Sequence, residues 1–291
     1  MKQKLLIICI AILSFILALA ITLYPIISTW YNERHQSEIF TQYQTQIENV
    51  DNEQMQAAKS NAIAYNEAIV PGTHLAESFS QEALLSAAEG YDNQLNLTGN
   101  GVMGYVDIPT IKVNLPIYHG TDESTLEAGI GHLLGSSLPI GGQNTHTVLT
   151  AHSGMASQKM FSDLPQLKEG DVFYLNVLDE TLAYQVDQIS IVLPHDTSLL
   201  QVEPNCDYCT LVTCTPFGVN THRLLVRGVR IPFETAEEIV ADMDLTDTTV
   251  TSTWEQEYIK GLAIGLGSAI AAVLFAFIVW IIRRDRHEKA A

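Results

Sequence analysis

Hydrophobic and polar positions divide the chain into four textures. Residues 5–24 form an uncharged, mostly apolar run, and residues 262–282 form a second. Between them, residues 30–69 are polar and rich in Gln, Glu and Asn, with no Gly or Pro until Pro71-Gly72. That pattern predicts one or two extended helices stopped by the Pro-Gly pair. From Val102 onward, short runs rich in β-branched and aromatic residues follow one another between turn residues, at 104–108, 113–118, 147–152, 171–177, 182–192, 209–215 and 223–231. Seven or eight such strands with only brief helical insertions predict a mainly β fold, a closed or nearly closed barrel. Short helices are expected at 81–89, 124–129 and 159–167.

Each apolar run is long enough to cross a bilayer as a helix. Lys2 and Lys4 precede the first, and Arg283, Arg284 and Arg286 follow the second. The positive-inside rule then predicts two membrane spans, both termini in the cytoplasm and the intervening domain on the outer face. Ala18-Leu19-Ala20 also resembles a signal-peptide cleavage site, but the run continues to Tyr24, which favours an uncleaved anchor. The expected division is 1–25 anchor, 26–100 helical and lid-like region, 101–232 barrel, 233–258 acidic stalk, 259–283 second transmembrane helix and 284–291 cytoplasmic tail. Gly261 and Gly265 form a GxxxG spacing within the last helix.

Charge narrows the range of partners. The net charge is −18, and the stretch between the apolar runs is more acidic still, because basic residues concentrate at the two ends. Such a surface repels nucleic acid and suits solubility or a cationic partner such as a lysine-bearing protein. Of four cysteines, Cys9 lies in the first apolar run, and Cys206, Cys209 and Cys214 lie in the barrel section. Cys206 and Cys209 have CxxC spacing, yet no second CxxC or close His pair completes a metal site. A lone thiol at Cys214 invites a catalytic explanation.

Side chains alternate across a strand, so Thr210, Val212 and Cys214 share one face, as do Arg223, Leu225 and Arg227 on the next strand. Antiparallel pairing can bring the Cys214 thiol and the Arg223 guanidinium together, a nucleophile beside an anion stabiliser. A thiol with a pKa of about 8.5 needs a histidine or cation nearby to work at neutral pH. His119, His132, His146, His152, His195 and His222 are the candidates in the barrel section. His152 ends the strand Thr147-Val148-Leu149-Thr150-Ala151 and meets the loop Ser153-Gly154, a position catalytic groups favour. His146 and His222, each preceded by Thr, read as hydrogen-bonded structural residues.

The segment Thr210-Leu211-Val212-Thr213-Cys214 resembles the TLxTC signature of the sortases, cysteine transpeptidases held at the membrane of Gram-positive bacteria. Similar blocks are Asn100 to Pro109, Pro116 to Thr121, Gly131 to Pro139, Thr145 to His152 and Thr213 to Gly228. Together they span the expected barrel, and the last block with the second apolar run is most similar to the pilin-polymerising class C enzymes. The resemblance implies that Cys214 attacks the Thr–Gly bond of a Leu-Pro-x-Thr-Gly-like sorting signal to form a thioacyl enzyme. It implies that His152 is the general acid and base and that Arg223 stabilises substrate and oxyanion. A pilin lysine then takes the acyl group as an isopeptide, with pilin subunits or other surface proteins as partners. No cofactor or metal is required.

Two departures stand out. Class C enzymes commonly carry an Asp-Pro-aromatic lid, and no Asp-Pro dipeptide occurs here; Glu77-Ser78-Phe79 lies in the corresponding region, so the lid is expected to be absent, reduced or differently anchored. Ser153 stands after the histidine where the family more often has Arg. Three other readings stay open: anchoring of proteins to cell-wall peptide, a catalytically silent assembly protein, and a thiol–disulfide oxidoreductase using Cys206 and Cys209.

Overall fold

The computed structural model describes residues 2–69, 90–155, 157–243 and 253–268. It divides into a main unit, 23–248, and a small unit formed by the two ends of the chain. Helix α1 (Lys2–Glu48) and helix α2 (Asn52–Ala68) come first. The strands follow as β1 (Val102–Ile108), β2 (Val113–His119), β3 (Ile130–His132), β4 (Thr145–Thr150), β5 (Val172–Val177), β6 (Glu180–Val192), β7 (Asp207–Thr215) and β8 (His222–Ile231). A short helix α3 (Glu123–Ala128) lies between β2 and β3, and α4 (Phe233–Asp242) follows β8.

The eight strands close into a barrel in the order β1-β2-β3-β4-β7-β8-β6-β5. Neighbours are antiparallel except β2–β3 and β4–β7, which are parallel. Period-2 alternation explains the closure. Leu149, Cys209, Leu211, Leu224 and Val226 belong to one large buried cluster, while Val148, Val212 and Leu225 on the alternate positions form a separate outer cluster. Gly228 shows how tightly the interior is filled. A Cβ there would stand 2.6 Å from the ring of Phe173, which is fully buried and stacked on Tyr184 at 5.6 Å.

From Leu23 on, α1 packs against the barrel, joined by α2. Phe40 sets its ring edge-on to Tyr105 at 4.8 Å. The Tyr43 hydroxyl donates to Met103 O and accepts from Leu178 N, at 3.2 and 3.0 Å. On α2, whose N-terminus is capped by Asp51, the buried Asn66 accepts from Leu138 N at 2.7 Å and donates to Leu138 O at 3.2 Å. α4 covers β5 and β6 through buried Ala236 and through Phe233, whose ring lies 5.9 Å from Tyr174.

The barrel and N-terminal helices agree with the fold expected from the sequence; the two flanking transmembrane helices do not. Among the described residues, no helix is long and apolar enough to cross a membrane. The membrane as a partner, the transmembrane description and the topology with cytoplasmic termini are therefore corrected. The first apolar run is not a separate element but part of α1, which continues through Pro25 into the polar section ending at Glu48. The helical residues 253–268 carry Glu255, Glu257 and Lys260 near their start. The second run beyond residue 268, the tripeptide Glu77-Ser78-Phe79 and the helix expected at 81–89 lie outside the described residues. Within the small unit, the Tyr258 hydroxyl donates to Thr22 O at 2.5 Å, and Trp254 stacks on Tyr258.

Asn66 joins α2 to the barrel through both polar groups of one backbone residue. Asn66→Ala leaves the buried Leu138 N–H unpaired, while Leu138 O still accepts from Ile140 N and the Thr147 hydroxyl; it is expected to cost about 1–3 kcal/mol, read as a lowered midpoint in chemical denaturation.

Candidate active site

Local strand pairing brings Cys214 and Arg223 together. In the β7–β8 ladder they are direct partners, with Val212 opposite Leu225 and Thr210 opposite Arg227. The turn between the strands is closed by Val219 N and Asn220 N, both donating to Pro216 O at 3.0 Å, and the Thr215–Pro216 peptide is cis. Cys214 and Arg223 are both half-buried.

His152 arrives from the parallel side. β4 runs alongside β7 with Thr150 opposite Val212, and Ala151 N extends that ladder by donating to Val212 O at 3.1 Å. The buried Thr213 hydroxyl donates to Ala151 O at 2.8 Å. Carried on, this register brings His152 level with Cys214. Phe161 N donates to His152 O at 3.0 Å, and Gly154 N donates to the Ser162 hydroxyl. Gly154 has a φ of +78°, and a Cβ there would meet Gly218 N at 3.3 Å, so the loop after the histidine presses against the β7–β8 turn. The His152 ring is a quarter exposed, and its Nε2 lies 3.7 Å from Glu123 Oε1.

The floor beside these three groups is apolar. Val148, Val212, Leu225 and Leu200 form the outer cluster, with Leu133 and Val192 packed against it. Leu200 is delivered by a short 3-10 turn, Ser198–Leu200, in the β6–β7 connection. Beyond the floor, Arg227 is held by Asp187, through Nε at 3.1 Å and Nη2 at 2.7 Å, and lies over the Tyr208 ring at 4.2 Å. Arg223 differs. It donates only to the carbonyls of His222 and Asn220, at 3.1 and 3.4 Å, and has no carboxylate partner among the described residues. A guanidinium without a carboxylate partner retains N–H groups for a ligand, whereas one in a bidentate pair does not.

The other histidines are accounted for structurally or stand apart from the cleft. His146 Nδ1 faces Gln201 O at 2.8 Å, and its Nε2 faces the Thr210 hydroxyl at 2.7 Å. The carbonyl fixes the proton on Nδ1, so Nε2 accepts. Burial, partly countered by the Gln201 carbonyl, lowers the His146 pKa to about 4. His132, fully buried between the Tyr91 hydroxyl and Ser137 O, is likewise lowered to about 4 by burial. Both ring nitrogens of His119 face carbonyls, His222 pairs with the Thr221 hydroxyl, and His195 is exposed. Cys206 and Cys209 form no disulfide. Cys209 points into the barrel, where burial raises its thiol pKa well above the ordinary value. Among the described residues, no group of three or more His, Cys, Asp or Glu side chains could hold a metal ion.

Sequence reasoning missed Glu123, which no strand pattern links to His152, and the bracing roles of Thr210 and Thr213. The two threonines carried a signal, since both stand in the pentapeptide ending at Cys214.

The family description "Sortase domain" matches residues 106–231. Sortase A of Streptococcus agalactiae is 29% identical over 186 residues, covering 63% of this chain and 70% of that protein. The crystal structure of sortase C1 from Streptococcus agalactiae is 46% identical, covers 67% of this chain and 98% of its own, and superposes with a TM-score of 0.61. The sortase C structure from Streptococcus pneumoniae, bearing on catalysis and pilin substrate specificity, is 42% identical, covers 67% and 97%, and has a TM-score of 0.59.

The two buried histidines carry a pH signature. Their folded pKa values, about 4, lie below the 6.5 of an ordinary histidine, so between those limits the unfolded chain binds more protons. Stability is complete above about pH 6.5 and falls as pH drops toward 4, by on the order of 3 kcal/mol per histidine. Denaturation of wild type across this window is expected to show that loss, and His146→Gln is expected to remove about half of it, leaving the part due to His132.

Proposed function

The chain belongs to the sortase family, and on that footing we propose a class C-like, pilin-polymerising cysteine transpeptidase with Cys214 as nucleophile, His152 as general acid and base, and Arg223 as oxyanion and substrate stabiliser. The observation that carries this reading is the pairing of Cys214 with Arg223 across β7 and β8, with His152 at the adjoining end of β4.

The chemistry follows from that placement. An extended peptide bearing a Leu-Pro-x-Thr-Gly-like signal lies along the apolar face of Val148, Val212, Leu225 and Leu200, which suits the Leu-Pro portion and brings the Thr carbonyl to Cys214. Sulfur attacks the carbonyl carbon as His152 takes the thiol proton, and the negative charge passes to oxygen. Arg223 meets that charge with N–H groups committed only to backbone carbonyls. A guanidinium keeps its charge at any working pH and presents donors in a fixed plane. His152 protonates the departing Gly amine, since an amide nitrogen leaves poorly as an anion. In the second half, His152 takes a proton from an incoming lysine amine, which attacks the thioester and releases Cys214. The product is an isopeptide between two pilin subunits. Sortase C of Streptococcus pneumoniae, whose structure bears on pilin substrate specificity, and a pilus-related sortase C of group B Streptococcus, at 42% and 41% identity, support the pilin assignment.

The protein is mixed with a sorting-signal peptide and a lysine-bearing pilin domain, and the products are weighed by mass spectrometry. Wild type is expected to give a thioacyl adduct and an isopeptide, and Cys214→Ala neither. Arg223→Ala is expected to lower kcat/KM by about 10²–10³-fold. Arg223→Lys is expected to recover little, because an ammonium lacks the planar fork. An adduct persisting in Cys214→Ala overturns the nucleophile assignment.

A further inference from the structure

The imidazole of His152 has one ring nitrogen that the reading above leaves without a role. Nε2 is buried and has no hydrogen-bond partner. The charged group facing it is Glu123, whose Oε1 lies 3.7 Å away and whose side chain is 78% exposed. Arg223 and Cys214 face the cleft from β8 and β7, but a guanidinium has donors only and cannot satisfy a ring N–H.

The position of Glu123 is set by the fold. It is the first residue of α3, whose first turn is capped by Asp122 accepting from Thr125 N at 2.9 Å. Gln158 Nε2 donates to Glu127 O at 2.7 Å, tying α3 to the segment that follows His152. That segment is in turn fastened by Phe161 N to His152 O. The backbones carrying the carboxylate and the imidazole are therefore held to one another. The 3.7 Å gap exceeds hydrogen-bond range, about 2.7–3.2 Å. A rotamer change in an exposed side chain closes a gap of that size, and catalytic hydrogen bonds are commonly long before substrate binds.

We propose that Glu123 is a positioning residue for transpeptidation: it accepts the N–H of His152 Nε2 and so fixes the tautomer and ring orientation that leave Nδ1 to exchange protons. The proposal rests on the Cys214 and His152 assignments above. In the first half, Nδ1 takes the thiol proton as the C–S bond forms and gives it to the Gly amine as the C–N bond breaks. In the second, Nδ1 takes a proton from the attacking lysine amine and returns it to Cys214 as the C–S bond breaks. Glu123 keeps its charge throughout, and no proton is gained or lost over the cycle.

The test is single-turnover formation of the thioacyl adduct by the full chain over a range of sorting-signal peptide concentrations. A pair this exposed has a modest effect, so Glu123→Ala is expected to lower the maximal rate about 3- to 10-fold. The half-saturating peptide concentration stays unchanged, because Glu123 does not touch the peptide. Glu123→Gln keeps a carbonyl acceptor and is expected to restore most of the rate. A wild-type maximal rate in Glu123→Ala overturns the proposal, as does a loss confined to half-saturation or a Gln variant as slow as the Ala variant. His152→Ala separates the two levels of the argument. If it is slow while Glu123→Ala is normal, only Glu123 falls; if it is as fast as wild type, the histidine assignment falls and Glu123 with it.

Discussion

Hydrogen-bond register across β4, β7 and β8 is the constraint on which the cleft depends. Cys214 faces Arg223 because the β7–β8 ladder runs without a shift from Tyr208 and Val229 to Thr215 and His222. A slip of one residue would turn every side chain of one strand to the other face, carrying the thiol into the barrel and Leu211 out of it. The parallel β4–β7 pairing is equally strict, and Thr213 adds a side-chain bond to Ala151 O where that ladder ends. Backbone geometry thus places Cys214 and Arg223 on paired strands and His152 two residues past the end of β4.

Burial and charge then separate groups of the same chemical type. Arg223 and Arg227 share a face of β8, yet Asp187 holds one in a bidentate pair while the other bonds only backbone carbonyls. His146 lies within β4 and His152 just past its end, yet the first is enclosed by Thr210 and Gln201 and kept neutral by burial. The second stands at the strand end with its ring partly exposed. A buried histidine with both nitrogens occupied stiffens the sheet; a strand-end histidine beside a thiol is available for proton transfer.

The N-terminal helices and α3 extend this ordering outward. Tyr43 and Asn66 satisfy backbone groups of Met103, Leu178 and Leu138 that the ladders leave over. Gln36 reaches Gln158, and Gln158 reaches the carbonyl of Glu127. A chain of polar contacts therefore runs from α1 through the segment after His152 to α3, whose first residue faces the imidazole.

The amino-acid sequence determined by itself what local periodicity and motif spacing can carry. Alternation grouped Cys214 with Val212 and Arg223 with Leu225 on faces that could meet, because their strands are joined by one short turn and pair with each other. The strand ending at His152 was legible for the same reason. Other features were decided only by tertiary structure. β3 is three residues long, too short for any period, and exists because β2 and β4 hold it on both sides. The β5–β1 pairing that closes the barrel joins segments about 70 residues apart. Glu123 meets His152 through α3, which no alternation pattern connects to β4. Run length suggested two membrane spans, but the length of an apolar run is a local property, and the first run proved to be part of a longer helix. Side-chain period is written in the order of residues; which distant strand or helix lies across the cleft is settled only when the sheet closes and its edges find partners.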